Sequence, residues 1–447
     1  MVECSAPEEA PTTEATRGSS TARLAIGAVV GWALVIAVAR AWGVHLEATG
    51  TPLILFTPPV IGGYREALPA GLPLVAALGI GLALGLPLVA TRLAWRPMLA
   101  ALTAGAALWW LGLALVDGRA GLTRGLYYRE DYADAVARVA DGPGAYLRDY
   151  VATLPGEPIA LRGHPPGLSM LFGLLHAAGL RGEGWAAAAV LLAALSTVAA
   201  VLVLLRCVAG EPVARRAGPF LALAPAATWI VTSTDALTMA TGAWFLTLLA
   251  LAGATPAARR RSSDVLAIAA GVLAAGAALQ SYGMVLLAVP AAVLAWHQRR
   301  WRPLLLAALV AAGLVGLLAA WGFWWIDGLA ATAREYHELP LERPYRYFVV
   351  GNLGAWALAL GPATAAGLVC LRDRATWVVV GGGLAAALLA DLSGLSEGEV
   401  ERIWLPFTIL VLPAAACLWT SRRAASGWLA AQVASAVAFT AVIGANW

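Results

Sequence analysis

Apolar residues run along this chain in stretches of about 17–25, each long enough to cross roughly 30 Å of hydrocarbon as a helix that satisfies its own backbone hydrogen bonds. The runs predict membrane helices over 23–42, 71–92, 97–116, 185–205, 219–234, 236–254, 264–281, 283–297, 303–326, 353–371, 375–391, 403–420 and 427–445. The chain therefore reads as an all-α polytopic membrane protein of about 13 transmembrane helices, within a range of about 11–14. One further apolar run, 164–180, opens on a His-Pro-Pro-Gly corner. The residue before a proline is pushed out of the α region, while prolines suit the first turn of the helix that follows.

Charge decides whether that run crosses. All 30 basic side chains are arginine, so chemistry that needs a lysine Schiff base or a P-loop lysine is excluded. Clusters at Arg92/Arg96, Arg206/Arg215/Arg216, Arg259–Arg261, Arg299/Arg300/Arg302, Arg372/Arg374 and Arg422/Arg423 all fall on one side, the cytoplasmic one, only if 164–180 stays out of the count. It is accordingly expected to be a re-entrant or interfacial helix on the outer side. The long polar segments 43–70, 117–184, 327–352 and 391–402 then gather at the extracytoplasmic face, with interfacial helices in the large outer loop 117–184.

Composition agrees. Apolar residues make up 60% of 447, charged residues 13%, and mean hydropathy is +0.76, a balance foreign to a water-soluble domain of this length. Residues 1–22 are acidic and rich in Pro, Thr and Ser, and read as a disordered cytosolic tail before a single transmembrane domain, 23–447. The net charge of +4 reports topology and points to no nucleic-acid partner. Cys4, Cys207, Cys370 and Cys417 lack metal-site spacing.

Candidate chemistry lies in the outer segments. Asp117 sits at an outer helix end, where an acid is costly unless it faces a cavity. In the loop that follows, Tyr128, Tyr132, Val136 and Val139 recur at helical spacing, with Glu130, Asp131, Asp134 and Arg138 on other faces, as in an amphipathic interfacial helix. Asp134, Asp141 and Asp149 read as solvated. Asp235, in "TSTDAL", reads either as a helix N-cap or as a functional acid. Glu399, Glu401 and Arg402 stand where a helix re-enters the membrane; the arginine there needs an anionic ligand or a carboxylate, and a plain Arg402–Glu399 helix pair is the simpler alternative. The loop "DGLAATAREYHELPLERPYRYF" mixes arginines, Arg343 among them, with aromatics, as suits sugar stacking, phosphate binding or a membrane-surface belt. Trp109/Trp110 and Trp324/Trp325 are expected to be belt aromatics.

An acid-bearing first outer loop with interfacial helices, then "GHPPG" at 163–167, "TSTDAL" at 232–237 and "GEVERIWLPF" at 398–407 together resemble the GT-C superfamily of polytopic membrane glycosyltransferases, in particular its actinobacterial members with polyprenyl-phosphate sugar donors. The resemblance covers most of 97–410. It implies transfer, usually inverting, of a hexosyl or pentosyl unit (mannosyltransferase-like or arabinosyltransferase-like) to a cell-envelope glycan or glycolipid at the outer face of the cytoplasmic membrane, beside membrane lipid. It implies a base drawn from Asp117, Glu130 or Asp131, phosphate pairing by Arg402 with Arg343 as a second cation, and a His164 contact to phosphate or sugar. Some members use a divalent cation such as Mg or Mn. The chain departs from the pattern where many members carry an acidic pair directly after the helix: here Gly118 follows Asp117, and Glu130-Asp131 comes later. A transporter or lipid-linked-sugar flippase is the alternative reading; it would place ionisable residues at the midplane of several spans, whereas here they gather in the outer loops. An inactive scaffold that keeps the fold is a third.

Overall fold

A computed structural model describes residues 12–126, 128–338 and 343–444, with the side chains of 12–20 and 336–338 excepted. Residues 1–11 of the expected tail, Cys4 and Glu342 lie outside the described residues. Among the described residues ten helices are long and apolar enough to cross a membrane: α1 (Thr21–Ala48), α2 (Leu72–Arg92), α3 (Trp95–Asp117), α4 (Glu183–Val208), α5 (Asp235–Ala254), α6 (Ala257–Gln280), α7 (Trp301–Trp321), α8 (Tyr345–Cys370), α9 (Arg374–Leu392) and α10 (Arg422–Val442). The protein is an all-α polytopic membrane protein. Three shorter apolar helices, Gly167–Ala177, Tyr282–Gln298 and Leu405–Leu418, complete the set.

The expected spans at 283–297 and 403–420 correspond to two of these shorter helices. The run expected to cross at 219–234 is instead broken, with one helix at Glu211–Ala222 and a single turn at Ala227–Ile230. The break falls at 223–226, where Pro225 lacks an N–H and restrains its predecessor, while Pro219 is carried inside the first helix. Helix Gly167–Ala177, at 1.5 Å per residue, is about 16 Å long, roughly half the hydrocarbon thickness.

The core is formed by the broken segments. Residues 217–227 and 404–416 are buried throughout, and α5 is the most enclosed of the long helices, whereas α1 and α7 bury little of their surface. Helix α5 packs between α4 and α6, α6 against α7, α1 along α8, and α2 along α10. Helix α8 breaks at Gly361, whose φ of 73° is left-handed, and Pro362 follows. The freed groups are met by Gln432 of α10, fully buried, whose Oε1 accepts from the Ala363 N–H at 3.0 Å and whose Nε2 donates to the Leu360 carbonyl at 3.0 Å. Non-helical backbone at this depth requires such partners.

Trp109 and Trp110 are fully buried, not belt residues. The Trp110 indole N–H donates to the Ala222 carbonyl at 3.0 Å, at the proline-broken segment. Two short antiparallel ladders order the first outer segment. Phe56–Thr57 pairs with Val60–Ile61, and Gly63–Tyr64 with Ile443–Gly444. The second ladder ties the residues before Arg65 to the end of α10.

Candidate active site

Arg402 is delivered by a strained loop. Glu399 opens the four-residue helix Val400–Ile403 with φ 59°, left-handed for a side chain that disfavours it, a conformation that costs about 1–3 kcal/mol and persists only where neighbours enforce it. Asn352 of α8 does so: its Nδ2 donates to the Ser396 carbonyl at 2.7 Å and to Asp391 at 3.0 Å, and its Oδ1 accepts from the Gly398 N–H at 3.1 Å. Arg343 Nη1 donates to the Glu397 carbonyl at 2.5 Å. Arg343 thus braces this loop.

The Arg402 guanidinium meets two carboxylates. Nη1 donates to Asp235 Oδ2 at 2.6 Å, and Nη2 donates to Glu399 Oε2. The Ser233 hydroxyl donates to Asp235 Oδ2 at 2.5 Å and accepts from the Asp235 N–H at 3.1 Å. Asp235 is the first residue of α5 and Thr234 its N-cap, with no side-chain cap bond; its carboxylate turns to Arg402 instead. The simple Arg402–Glu399 helix pair is present as well, so both ways of meeting the arginine are realised.

Asp131 joins from the loop after α3. It lies half-buried in the turn Tyr128–Tyr132, close enough for the Arg402 charge to act on it. Burial, and next the neighbouring Glu130 charge, push its carboxyl above the usual range, while Arg402 pulls it back. Glu130 is exposed. Tyr132 is buried and hydrogen-bonded to Thr234, and its ring meets Phe172 of helix Gly167–Ala177 edge-on at 5.4 Å. That contact anchors the outer loop to the 164–177 element.

His164 lies half-buried with Nδ1 2.7 Å from the Ala160 carbonyl. A carbonyl only accepts, so Nδ1 carries the proton and Nε2 is the acceptor in the neutral ring. The His164 ring also lies near Asp235, and the His164 carbonyl accepts from the Tyr150 hydroxyl. The ring is both a brace for the corner and a neighbour of the Arg402 cluster. Glu401 points elsewhere. It is fully buried, neither carboxylate oxygen has a partner in another residue, and burial pushes its carboxyl up to about 8.

Asp117 lies apart from Asp131. Gly118, with φ 71°, turns the chain immediately after it, and both carboxylate oxygens accept from Arg65, at 2.6 and 2.8 Å. Arg65 is held there by the second ladder, its backbone N–H donating to the Val442 carbonyl at 2.9 Å and Nε to the Ile443 carbonyl at 3.3 Å. Asp117, Arg65 and the exposed Arg124 line a small, open chamber with Thr228, Thr232 and Thr440. Thr232 lies three residues before Asp235, so one turn walls the chamber and supplies the Arg402 cluster.

Of the residues singled out from sequence, the structure gathers Asp131, His164, Asp235, Glu399 and Arg402, with Glu401 buried behind them. It leaves Glu130 exposed, Arg343 in a bracing role and Asp117 in a second chamber. Arg65, Arg124, Ser233 and Asn352 were not singled out. A signal existed for the two arginines: both lie in outer segments, against the run of arginines to the other side. Among the described residues no three His, Cys, Asp or Glu side chains converge as a metal-ligand group.

No family model and no curated protein matches the sequence. Two solved structures are similar in fold, both of ArnT from Cupriavidus metallidurans. The form bound to undecaprenyl phosphate gives a TM-score of 0.47 at 15% identity, covering 73% of this chain and 61% of that one. The apo form gives 0.44 at 16%, covering 71% and 60%. The match thus spans about three fifths of the length of those proteins.

Proposed function

We propose that the protein is a membrane glycosyltransferase of GT-C type that moves a sugar from a polyprenyl-phosphate donor to a cell-envelope glycan or glycolipid at the outer face of the cytoplasmic membrane. One observation carries this reading. The three stretches behind the sequence resemblance, around His164, Asp235 and Glu399–Arg402, meet one another and the acid-bearing loop at Asp131, although they lie far apart along the chain.

Asp131 is the acid best suited to act as base. It is half-buried, raised toward neutrality and carries no ion pair within 4 Å among the described residues, whereas Asp117 has both oxygens taken by Arg65 and Glu130 faces solvent. A base works best with a pKa near the working pH. In this mechanism Asp131 takes the acceptor hydroxyl proton, the oxygen attacks the anomeric carbon, the bond from that carbon to the phosphate oxygen breaks, and polyprenyl phosphate leaves with the configuration inverted. Arg402 holds Asp235 and Glu399 in place, and His164 Nε2 is an acceptor for a substrate hydroxyl.

The test is sugar transfer by purified protein given a polyprenyl-phosphate sugar and envelope glycolipid. Asp131→Asn is expected to lower the rate by about 10²–10⁴ with folding intact, while Glu130→Gln keeps most of it. Full activity in Asp131→Asn removes this base assignment. Substrate movement across proteoliposomes without sugar transfer would favour the flippase instead.

A further inference from the structure

The two arginine sites carry opposite charge balances. At Arg402 one guanidinium faces the carboxylates of Asp235, Glu399 and Asp131, a field that repels an incoming anion. In the Asp117 chamber Arg65 cancels Asp117, and Arg124 adds a positive charge that reaches it and has no ion pair among the described residues. The walls carry a second sign. Threonines in these helices return their hydroxyls to the carbonyl four residues back, as Thr232, Thr241 and Thr247 do. Thr228 and Thr440 also line the chamber, and their buried hydroxyls have no partner. A buried hydroxyl left unmatched costs about 1–3 kcal/mol.

We propose that this chamber binds a phosphate group, with Arg124 and the outer N–H groups of Arg65 as cations and the hydroxyls of Thr228 and Thr440 as donors. Both Asp117 oxygens are already engaged by Arg65. Two guanidinium groups against one carboxylate, which Arg65 already pairs, leave the lining net positive, a balance that suits an anionic phosphate better than a neutral sugar. Leu113, Ala114 and Ile443 complete the wall. The inference deepens the glycosyltransferase reading, and its lipid arm rests on that reading: it moves the leaving phosphate from Arg402 to the far side of the Thr232–Asp235 turn, and leaves the carboxylate-rich side to the acceptor.

The experiment measures binding of inorganic phosphate and of farnesyl phosphate to the purified full-length protein. Arg124→Gln and Thr440→Val are each expected to weaken farnesyl phosphate at least 10-fold. Thr440→Val is nearly isosteric and deletes an unpartnered group, so folding is retained. If inorganic phosphate weakens in parallel, the phosphate alone is recognised; if only farnesyl phosphate binds and weakens, the site takes a lipid head group. Either result supports the chamber. Wild-type affinity for both probes in both variants overturns it, as does a wild-type protein that binds neither. Sugar transfer is followed in parallel. Phosphate binding through the chamber without transfer removes the enzyme reading and keeps the site; transfer with both variants binding normally does the reverse.

Discussion

The Asp235–Arg402 pair and the Asp117–Arg65 pair are the same chemistry in opposite surroundings. Each is a carboxylate and a guanidinium at close range near the start or end of a long helix. Around the first, additional carboxylates from Glu399 and Asp131 make the arginine the minority partner. Around the second, Arg124 makes the acid the minority partner. An ion pair by itself therefore says little about what a site will bind; the uncompensated neighbour decides.

The comparison breaks most readily at Arg402. Arg402→Gln strands two carboxylates in a poorly solvated setting, and removing one partner of a buried pair costs about 3–5 kcal/mol. The side chain retains 19% exposure, so the lower end is expected, read as a fall in unfolding midpoint together with loss of transfer. Asp117→Asn should act in the opposite direction on the other site. Removing the one carboxylate that lines the chamber among the described residues leaves Arg65 and Arg124 unopposed, and farnesyl phosphate is expected to bind several-fold tighter; weaker binding would deny the chamber its charge logic.

A smaller effect concerns Glu401. Burial raises its carboxyl to about 8 from the ordinary 4.5 of an exposed glutamate, so between those values the folded state holds more protons than the unfolded one. Stability is then greatest toward pH 4.5 and is lost as pH rises toward 8. Glu401→Gln removes this loss, so its thermal midpoint should exceed wild type by more at pH 8.5 than at pH 5.5. An equal gap at both values means that the carboxyl does not titrate there. The smallest effect is expected at Arg129–Glu183, a largely exposed pair. Arg129→Gln should change stability by less than about 1 kcal/mol and leave phosphate binding unaltered, which makes it the control for both sites.

Hydropathy made most of the bundle legible, because a run of about 20 apolar residues has few alternatives in a membrane. It failed where a span is broken. The 219–234 run looks continuous in composition, but it is interrupted at Pro225 while Pro219 is tolerated inside a helix, and composition alone does not separate the two prolines. The site was half legible for a similar reason. Glu399, Arg402 and Asp235 stand out as charges beside apolar runs, whereas separating Asp131 from Glu130 requires the register of the turn Tyr128–Tyr132. Asp117 looked like a free acid because its partner, Arg65, is brought to it by a ladder formed with Ile443 and Gly444, nearly four hundred residues away.

That ladder, with the Gln432 stitch across the α8 break, also sets an order of assembly. The last long helix supplies both the amide that closes Gly361–Pro362 and the strand that seats Arg65. During synthesis the earlier helices reach the bilayer first and must wait with an open break and an unanchored loop. A chain cut before α10 would keep the Arg402 segment but lose Thr440 and Ile443 from the Asp117 chamber, together with the ladder that seats Arg65.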